Sequence, residues 1–153
     1  MKTLETILAD HPFFAGLDPR LTALVAGCGK QVRFEIGDYL YRQGDAADTF
    51  YVLRHGQVGL ELRGAKGALL FHTDHEGDII NAAWIVPPYR CNSDARALEP
   101  SVAVALDGAC LRGKCEADNH LGYELMKRFV PVLVQRMMEA RVQALDVYGG
   151  APA

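Results

Sequence analysis

The chain has neither an excess of basic charge nor a long hydrophobic run. It carries 16 Lys and Arg against 19 Asp and Glu in 153 residues, for a formal net charge of −3. Nonspecific nucleic-acid binding needs a basic surface, and a membrane helix needs ~20 consecutive apolar residues. The first ten residues also lack the basic head and apolar core of a signal peptide. We therefore expect a cytoplasmic protein with no nucleic-acid and no membrane partner.

Cysteine is scarce, and the familiar catalytic motifs are missing. Cys28, Cys91, Cys110 and Cys115 have no compact framework spacing, which predicts free thiols. The sequence contains no Gly-x-Ser-x-Gly elbow, no P-loop and no His-Glu-x-x-His. The chain is therefore expected not to be an enzyme, and no catalytic residue is predicted.

Glycine turns separate short β-favouring segments over much of the chain. Gly37 and Gly44 are each followed by Asp, and this pair forms turns because Gly tolerates positive φ and Asp bonds its own backbone. The first strand is predicted over 32–36. Segments 39–41 and 50–53 are apolar or aromatic, and 58–62 alternates apolar and polar residues. Short strands with a turn about every eight to twelve residues predict an all-β roll or sandwich.

Helical patterns flank the β segments. A short helix is predicted over 2–9 and another over 20–26, with Asp18 as N-cap and Pro19 at its first position. Asp107 is the predicted N-cap of a helix over 108–116, and a long helix follows over 119–148. Pro131 lies inside this long helix, where its missing N–H predicts a kink near position 127.

The long helix has two apolar faces. One is predicted to pack on the roll, and the other repeats at alternating steps of four and three, as in a helix–helix seam. A single amphipathic helix lying on its own domain is the alternative, but two separate faces favour a homodimer. The roll-facing set is Leu121, Leu125, Phe129 and Val132. The seam is Met126, Val130, Leu133, Met137, Ala140, Ala144 and Val147.

The segment from Gly37 to Val58 resembles the signature of the cyclic-nucleotide-binding domain, the effector module of catabolite-activator-type regulators. It has both Gly-Asp turns, the aromatic-Tyr-aliphatic strand that begins at Phe50, and the hairpin glycine Gly56, at family spacing. The resemblance extends from about His11 to Tyr148. It implies one α+β domain over 1–153: a double-stranded β-helix, or jelly-roll-like roll, over about 30–106, with short N-terminal helices and long C-terminal helices over 107–148.

The resemblance also implies a ligand pocket, in which a phosphate sits on the start of a short helix and a Glu binds the ribose. Here Asn81 stands at the position of a family glycine and Ala82 at that of the Glu. Asn92 stands at the position of the phosphate-binding Arg, and Asp94 at that of a small residue. The pocket candidates are Gly77, Asp78, Ile79, Ile80, Asn81, Ala82, Ala83, Arg90, Asn92 and Ser93.

These replacements predict weak or absent binding of cAMP and cGMP, because charged hydrogen bonds to the phosphate are lost. Arg90 could restore one cation if its loop is reshaped. Trp84 and Tyr89 either wall the pocket or pack as a lid over the core. His72 and His75 are predicted to be solvated, and no cofactor, metal or haem site is expected.

The predicted function is a small-molecule-sensing regulatory module with a possible regulatory protein partner. The alternatives are a structural or adaptor module with a vestigial pocket, and the effector half of a transcription regulator. The last is disfavoured because no helix-turn-helix follows Tyr148.

Overall fold

The chain folds as eight antiparallel strands in two sheets, with helices before and after them. The computed structural model describes residues 3–148, with residues 147 and 148 described by their helical backbone only. The strands are β1 (Gly29–Phe34), β2 (Tyr39–Tyr41), β3 (Thr49–His55), β4 (Val58–Gly64), β5 (Gly67–Asp74), β6 (Ile79–Ile80), β7 (Asp94–Ala97) and β8 (Ser101–Asp107). The sheets have the orders β1-β8-β3-β6 and β2-β7-β4-β5, which is the expected roll.

Gly56 shows why the turns of this roll need glycine. It connects β3 to β4 with a φ of 102°, in the left-handed region that side chains disfavour. A Cβ at this position would also lie 2.2 Å from Ser101 Oγ on the neighbouring strand β8. Only glycine fits both constraints, so the hairpin glycine of the sequence pattern has a steric cause.

The helices begin where the sequence predicts N-caps. Asp18 accepts a hydrogen bond from the Arg20 N–H at 2.8 Å, and Asp107 accepts one from the Cys110 N–H at 2.8 Å. The helices are α1 (Leu4–Asp10), α2 (Pro19–Ala26), α3 (Gly108–Ala117) and α4 (Asn119–Tyr148). Short 3-10 turns form at Pro12–Phe14 and Ala82–Ile85.

Strand boundaries were predicted less well than helix starts. The first strand was expected over 32–36, but β1 pairs with β8 from Gly29, opposite Leu106, to Phe34, opposite Ser101. The partner strand decides these ends, because a ladder continues as long as the neighbour can supply hydrogen bonds.

The expectation of four free thiols is wrong for two of them. Cys28 and Cys110 form a disulfide with their Cα atoms 5.7 Å apart, whereas Cys91 and Cys115 are free. The end of α2 and the start of α3 lie side by side, since the Asp107 N–H donates to the Cys28 carbonyl at 2.9 Å. The pair is separated by 82 residues in sequence, so spacing alone could not reveal it.

Removing this disulfide should lower stability measurably. We expect the double replacement Cys28→Ser and Cys110→Ser to reduce the free energy of unfolding by about 2–4 kcal/mol, since the cross-link restricts the unfolded chain. Urea unfolding of both proteins measures this difference. Cys115→Ser is the matched control and should stay within about 0.5 kcal/mol of the parent. Equal midpoints for the double variant and the parent would contradict a native cross-link.

The first half of α4 is fastened to the roll by apolar side chains. Leu121, Leu125 and Phe129 are fully or almost fully buried, and Val132 packs against the same core, as predicted. The seam residues Val130, Leu133 and Met137 are 45–48% exposed, so the chain leaves this face uncovered. Val147, the last predicted seam residue, has a side chain outside the described residues. No helix within residues 3–148 is long and apolar enough to cross a bilayer.

Candidate functional site

A cavity of about 350 Å³ opens into the roll, next to the turns between β2 and β3. Of the predicted pocket residues, only Asn81 lines it. The wall residues are Leu40, Tyr41, Asp45, Ala46, Asp48, Thr49, Tyr51, Asn81 and Cys91. We call this space the roll cavity.

Asn81 closes one side of the roll cavity. Its backbone has a φ of 79°, a left-handed conformation that Asn adopts more readily than most residues. Its amide donates to the Thr49 carbonyl at 2.8 Å and lies 3.6 Å from Cys91 Sγ. Asn81 therefore both replaces a glycine at a strained position and ties the segment before the Ala82–Ile85 turn to strand β3.

Cys91, rather than Asn92, faces the roll cavity. Asn92 is exposed, whereas Cys91 and Ser93 are buried. Successive side chains of an extended segment point to opposite sides, so the inward positions here are 91 and 93. Asn92 stays a prediction as a ligand-binding residue, and in the described conformation Cys91 is the residue of this segment that lines the roll cavity.

The groups at the back of the roll cavity are held neutral by burial. Desolvation, reinforced by the nearby Asp45 carboxylate, raises the pKa of the Cys91 thiol to about 11. Burial likewise raises the pKa of the Tyr41 hydroxyl well above its usual range, although a hydrogen bond with Ser93 opposes the shift. At neutral pH this wall therefore offers a thiol and a phenol, not a thiolate nucleophile.

Asp94 does not bring its charge into the cavity. It is buried, and its Oδ1 accepts a hydrogen bond from the Gln43 N–H at 2.7 Å. Arg42 Nε and Arg63 Nε lie 3.6 Å and 3.4 Å from its two oxygens. Asp94 therefore anchors the β2–β3 turn to β7, and its ion pairs explain how a carboxylate is accommodated there.

The charge of the roll cavity is negative. Asp45 and Asp48 line it, and among the described residues no Lys or Arg does. Arg90 is exposed and pairs through its backbone with Ala46, so its guanidinium is not placed in the cavity wall. The described conformation therefore supplies no side-chain cation for a phosphate.

The other predicted pocket residues are distributed elsewhere. Gly77, Asp78 and Ile79 line a different cavity of about 610 Å³ between the β5–β6 turn and α4. Ile80 is buried inside the roll, while Ala82 and Ala83 pack against the main core. The predicted set is therefore divided between two cavities, the buried interior and, for Arg90 and Asn92, the exposed surface.

Trp84 belongs to the core. It is fully buried and stacks on Phe50 with ring centroids 5.8 Å apart, and its indole meets Phe129 edge-on at 5.7 Å. Tyr89 is half-buried and carries the Arg112 guanidinium 4.3 Å from its ring centroid. The loop acts as a lid over the core, and the Trp84 and Tyr89 side chains do not line the roll cavity.

His72 differs from its prediction. Only 17% of its side chain is exposed, and its two ring nitrogens face Asp74 and Glu139. The solvated state was expected because sequence spacing could not show that α4 returns over β5. Within residues 3–148, no group of three or more His, Cys, Asp or Glu suited to a metal ion is found.

The fold and its turn pattern place this chain in a known class. Residues 31–118 match the family model of the cyclic nucleotide-binding domain, and the chain belongs to that family. A structure described as a candidate cyclic nucleotide-binding protein from Geobacter metallireducens superposes with a TM-score of 0.79. It is 26% identical, and the match covers 90% of this chain and 99% of that one.

More distant structures share the fold. A cyclic nucleotide-binding domain from Methylobacillus flagellatus has a TM-score of 0.77 at 18% identity, covering 94% of this chain and 80% of that one. The Thermus thermophilus catabolite activator protein has a TM-score of 0.71 at 19% identity, covering 90% and 63%. A curated relative, the cAMP-dependent protein kinase regulatory subunit of Emericella nidulans, is 29% identical over 62 residues. That match covers 40% of this chain and only 15% of the relative.

Proposed function

We propose that this protein is a regulatory module that senses a small molecule other than a cyclic nucleotide. The observation that carries the proposal is the charge of the roll cavity, which has Asp45 and Asp48 in its wall and no Lys or Arg among its described lining residues. A cyclic nucleotide would bring a phosphodiester anion into this space. The residues present do not fit that group.

The expected loss of affinity is large. A hydrogen bond to a charged group contributes roughly 1.5–3 kcal/mol, and about 1.4 kcal/mol corresponds to a factor of ten. With Cys91 at the wall and Arg90 in solvent, the phosphate has no guanidinium partner. The Ala82 methyl group cannot accept a hydrogen bond from a ribose hydroxyl. Nearby carboxylates add repulsion, so cAMP and cGMP should bind weakly or not at all.

A neutral or cationic ligand suits the site better. The roll cavity is near the lower end of the roughly 300–1,000 Å³ typical of ligand pockets. Its polar groups include the Tyr51 hydroxyl, the Thr49 side chain and the Asp45 and Asp48 carboxylates. These oxygens can accept hydrogen bonds, and no Lys or Arg among the described lining residues supplies a positive charge. We therefore propose a compact ligand that donates hydrogen bonds.

Ligand binding would act through the helices. Asn81 joins the cavity wall to β3 and is followed directly by the turn that carries Trp84. Trp84 in turn packs against Phe129 of α4. A ligand that favours one position of this segment shifts the balance between positions of α4 and so biases a protein partner. The uncovered seam of α4 supports a homodimer as the signalling unit.

Thermal unfolding tests the sensing role. A ligand at about a hundred times its Kd stabilises the folded state by about 2.7 kcal/mol. In a small-molecule screen, we expect a non-nucleotide compound to raise the melting temperature of the parent. Ala46→Trp, which adds bulk at a lining residue of the cavity, should abolish the response, whereas Ala65→Trp in the β4–β5 turn, which does not line the cavity, should preserve it. A ligand response unaffected by Ala46→Trp would place the site elsewhere, and no response to any compound would favour the adaptor role.

A further inference from the structure

Helix α4 is attached to the roll in two different ways. Its first half is anchored by buried Leu121, Leu125 and Phe129. Within the distal half, residues 133–146, no described side chain is buried. Pro131 lies at the junction and cannot donate a backbone hydrogen bond to the preceding turn. Within a single chain, the distal half therefore depends on polar contacts for its position on the roll.

Those contacts converge on strand β5. Arg136 Nη2 donates to Asp74 Oδ1 at 2.8 Å, and His72 Nε2 lies 3.0 Å from the same oxygen. His72 Nδ1 lies 2.8 Å from Glu139 Oε2. We call these four residues the polar latch. One turn further along, the Gln143 side-chain amide donates to the Phe71 carbonyl at 2.7 Å.

The geometry of the latch requires two protons on His72. A neutral imidazole has one N–H donor and one lone pair, whereas each ring nitrogen here faces a carboxylate oxygen. Only the imidazolium can donate to Asp74 and Glu139 together. Asp74 is completely buried, and its Oδ2 has no hydrogen-bond partner among the described residues. The negative charge of Asp74 is therefore balanced at Oδ1, which contacts both Arg136 and His72.

We propose that the polar latch is a pH-sensitive fastening of α4. It holds the distal half of the helix on β5 most firmly while His72 carries both ring protons, and the hold weakens when His72 loses one, because the Glu139 contact is lost while Arg136 stays on Asp74. When His72 loses a proton, one of its two carboxylate partners faces the lone pair of an unprotonated ring nitrogen, and that hydrogen bond is lost. Glu139 is the partner that separates, because it is partly exposed and can be hydrated, whereas Asp74 is not. The inference does not depend on which ligand the roll cavity binds.

The charges around His72 favour its protonated form. Asp74 on its own strand and Glu139 on α4 favour the imidazolium, while Arg136 on α4 and burial oppose it, and the balance raises the pKa of His72. His75 and Asp78 of the β5–β6 turn line the same 610 Å³ cavity, and the residue opposite His72 on β4 is the apolar Leu60. Because the pKa of His72 is raised in the folded state, the contact with Glu139 is complete below the ordinary pKa of His. It is lost as the pH rises through the folded-state pKa.

Two measurements on the intact chain test the latch. NMR of the imidazole nitrogens should show His72 titrating at a more alkaline pH than an ordinary His, with both nitrogens protonated at the acidic end. Amide hydrogen exchange, corrected for intrinsic rates, should show that the protection of residues 133–146 falls as the pH rises through the His72 titration. We expect a decrease of about tenfold, because one charge-assisted hydrogen bond is lost. Protection of 121–129 should not change.

Three variants complete the experiment at one protein concentration. His72→Gln should give low, pH-independent protection of 133–146, and Glu139→Gln should move the His72 titration to lower pH. His75→Gln, in the wall of the same cavity, should keep the parent transition. A His72 midpoint at or below the ordinary value, or protection of 133–146 that does not change through the His72 titration, would overturn the proposal even if a variant failed to fold.

Discussion

We expect Phe129→Ala to lower the free energy of unfolding by about 3–5 kcal/mol, the usual range for deleting a buried phenyl ring. Phe129 is 1% exposed and is the last fully buried residue among the described side chains of α4, which end at residue 146. Its ring contacts Phe13 at a centroid distance of 4.9 Å and Phe50 at 5.0 Å, and Trp84 lies at 5.7 Å. These rings come from the N-terminal segment, the roll, the lid and α4. The substitution therefore weakens the packing between all four parts of the domain.

Chemical denaturation with the single Trp84 as the fluorescence probe measures this loss directly. Val142→Ala is the matched control, since Val142 lies on the same helix outside the predicted seam and is 56% exposed. We expect it to cost less than about 1 kcal/mol, because an exposed side chain loses little buried area. If Phe129→Ala and Val142→Ala were equally mild, α4 would not be anchored through the aromatic cluster.

We expect Met137→Glu to convert the predicted homodimer to a monomer. Met137 lies in the middle of the uncovered seam and is 45% exposed in the isolated chain. In a two-stranded seam, each copy would bring this position close to the helix of the other copy. Burying a carboxylate there without a partner costs several kcal/mol, which exceeds what a seam containing Ala140 and Ala144 can offset.

Light scattering at matched concentrations provides the readout. The parent should have the mass of two chains, and Met137→Glu the mass of one. Gln135→Glu adds the same charge on the side of α4 that faces the roll, and it should remain dimeric. A monomeric parent, or an unchanged mass for Met137→Glu, would refute a dimer built on this seam.

The sequence predicted features that depend on local chemistry. Gly-Asp turns, the caps Asp18 and Asp107 and the bounds of α4 each depend on residues within a few positions of one another, and the structure shows all of them. The roll follows, because its turns space the strands so that they can pair. Buried Leu121 and Phe129 likewise follow from helical periodicity.

Features that depend on distant pairing were not predictable in the same way. The disulfide joins positions 82 residues apart, and Glu139 meets His72 across 67 residues. The direction of the Asn92 side chain was not predictable for another reason: a shift of one residue along an extended segment reverses every side chain, so Cys91 lines the roll cavity and Asn92 is exposed. Sequence pattern therefore predicted the scaffold better than the pocket wall or the contacts of α4.

Isothermal titration with cAMP decides whether the roll cavity accepts a cyclic nucleotide. We expect no saturable heat at micromolar ligand, because the roll cavity has two carboxylates and no basic side chain among its described lining residues. The same result is expected for cGMP and for the Arg90→Ala variant. A dissociation constant in the micromolar range or tighter would refute a site that rejects cyclic nucleotides, and its loss in Arg90→Ala would identify Arg90 as the cation that moves in to hold the phosphate.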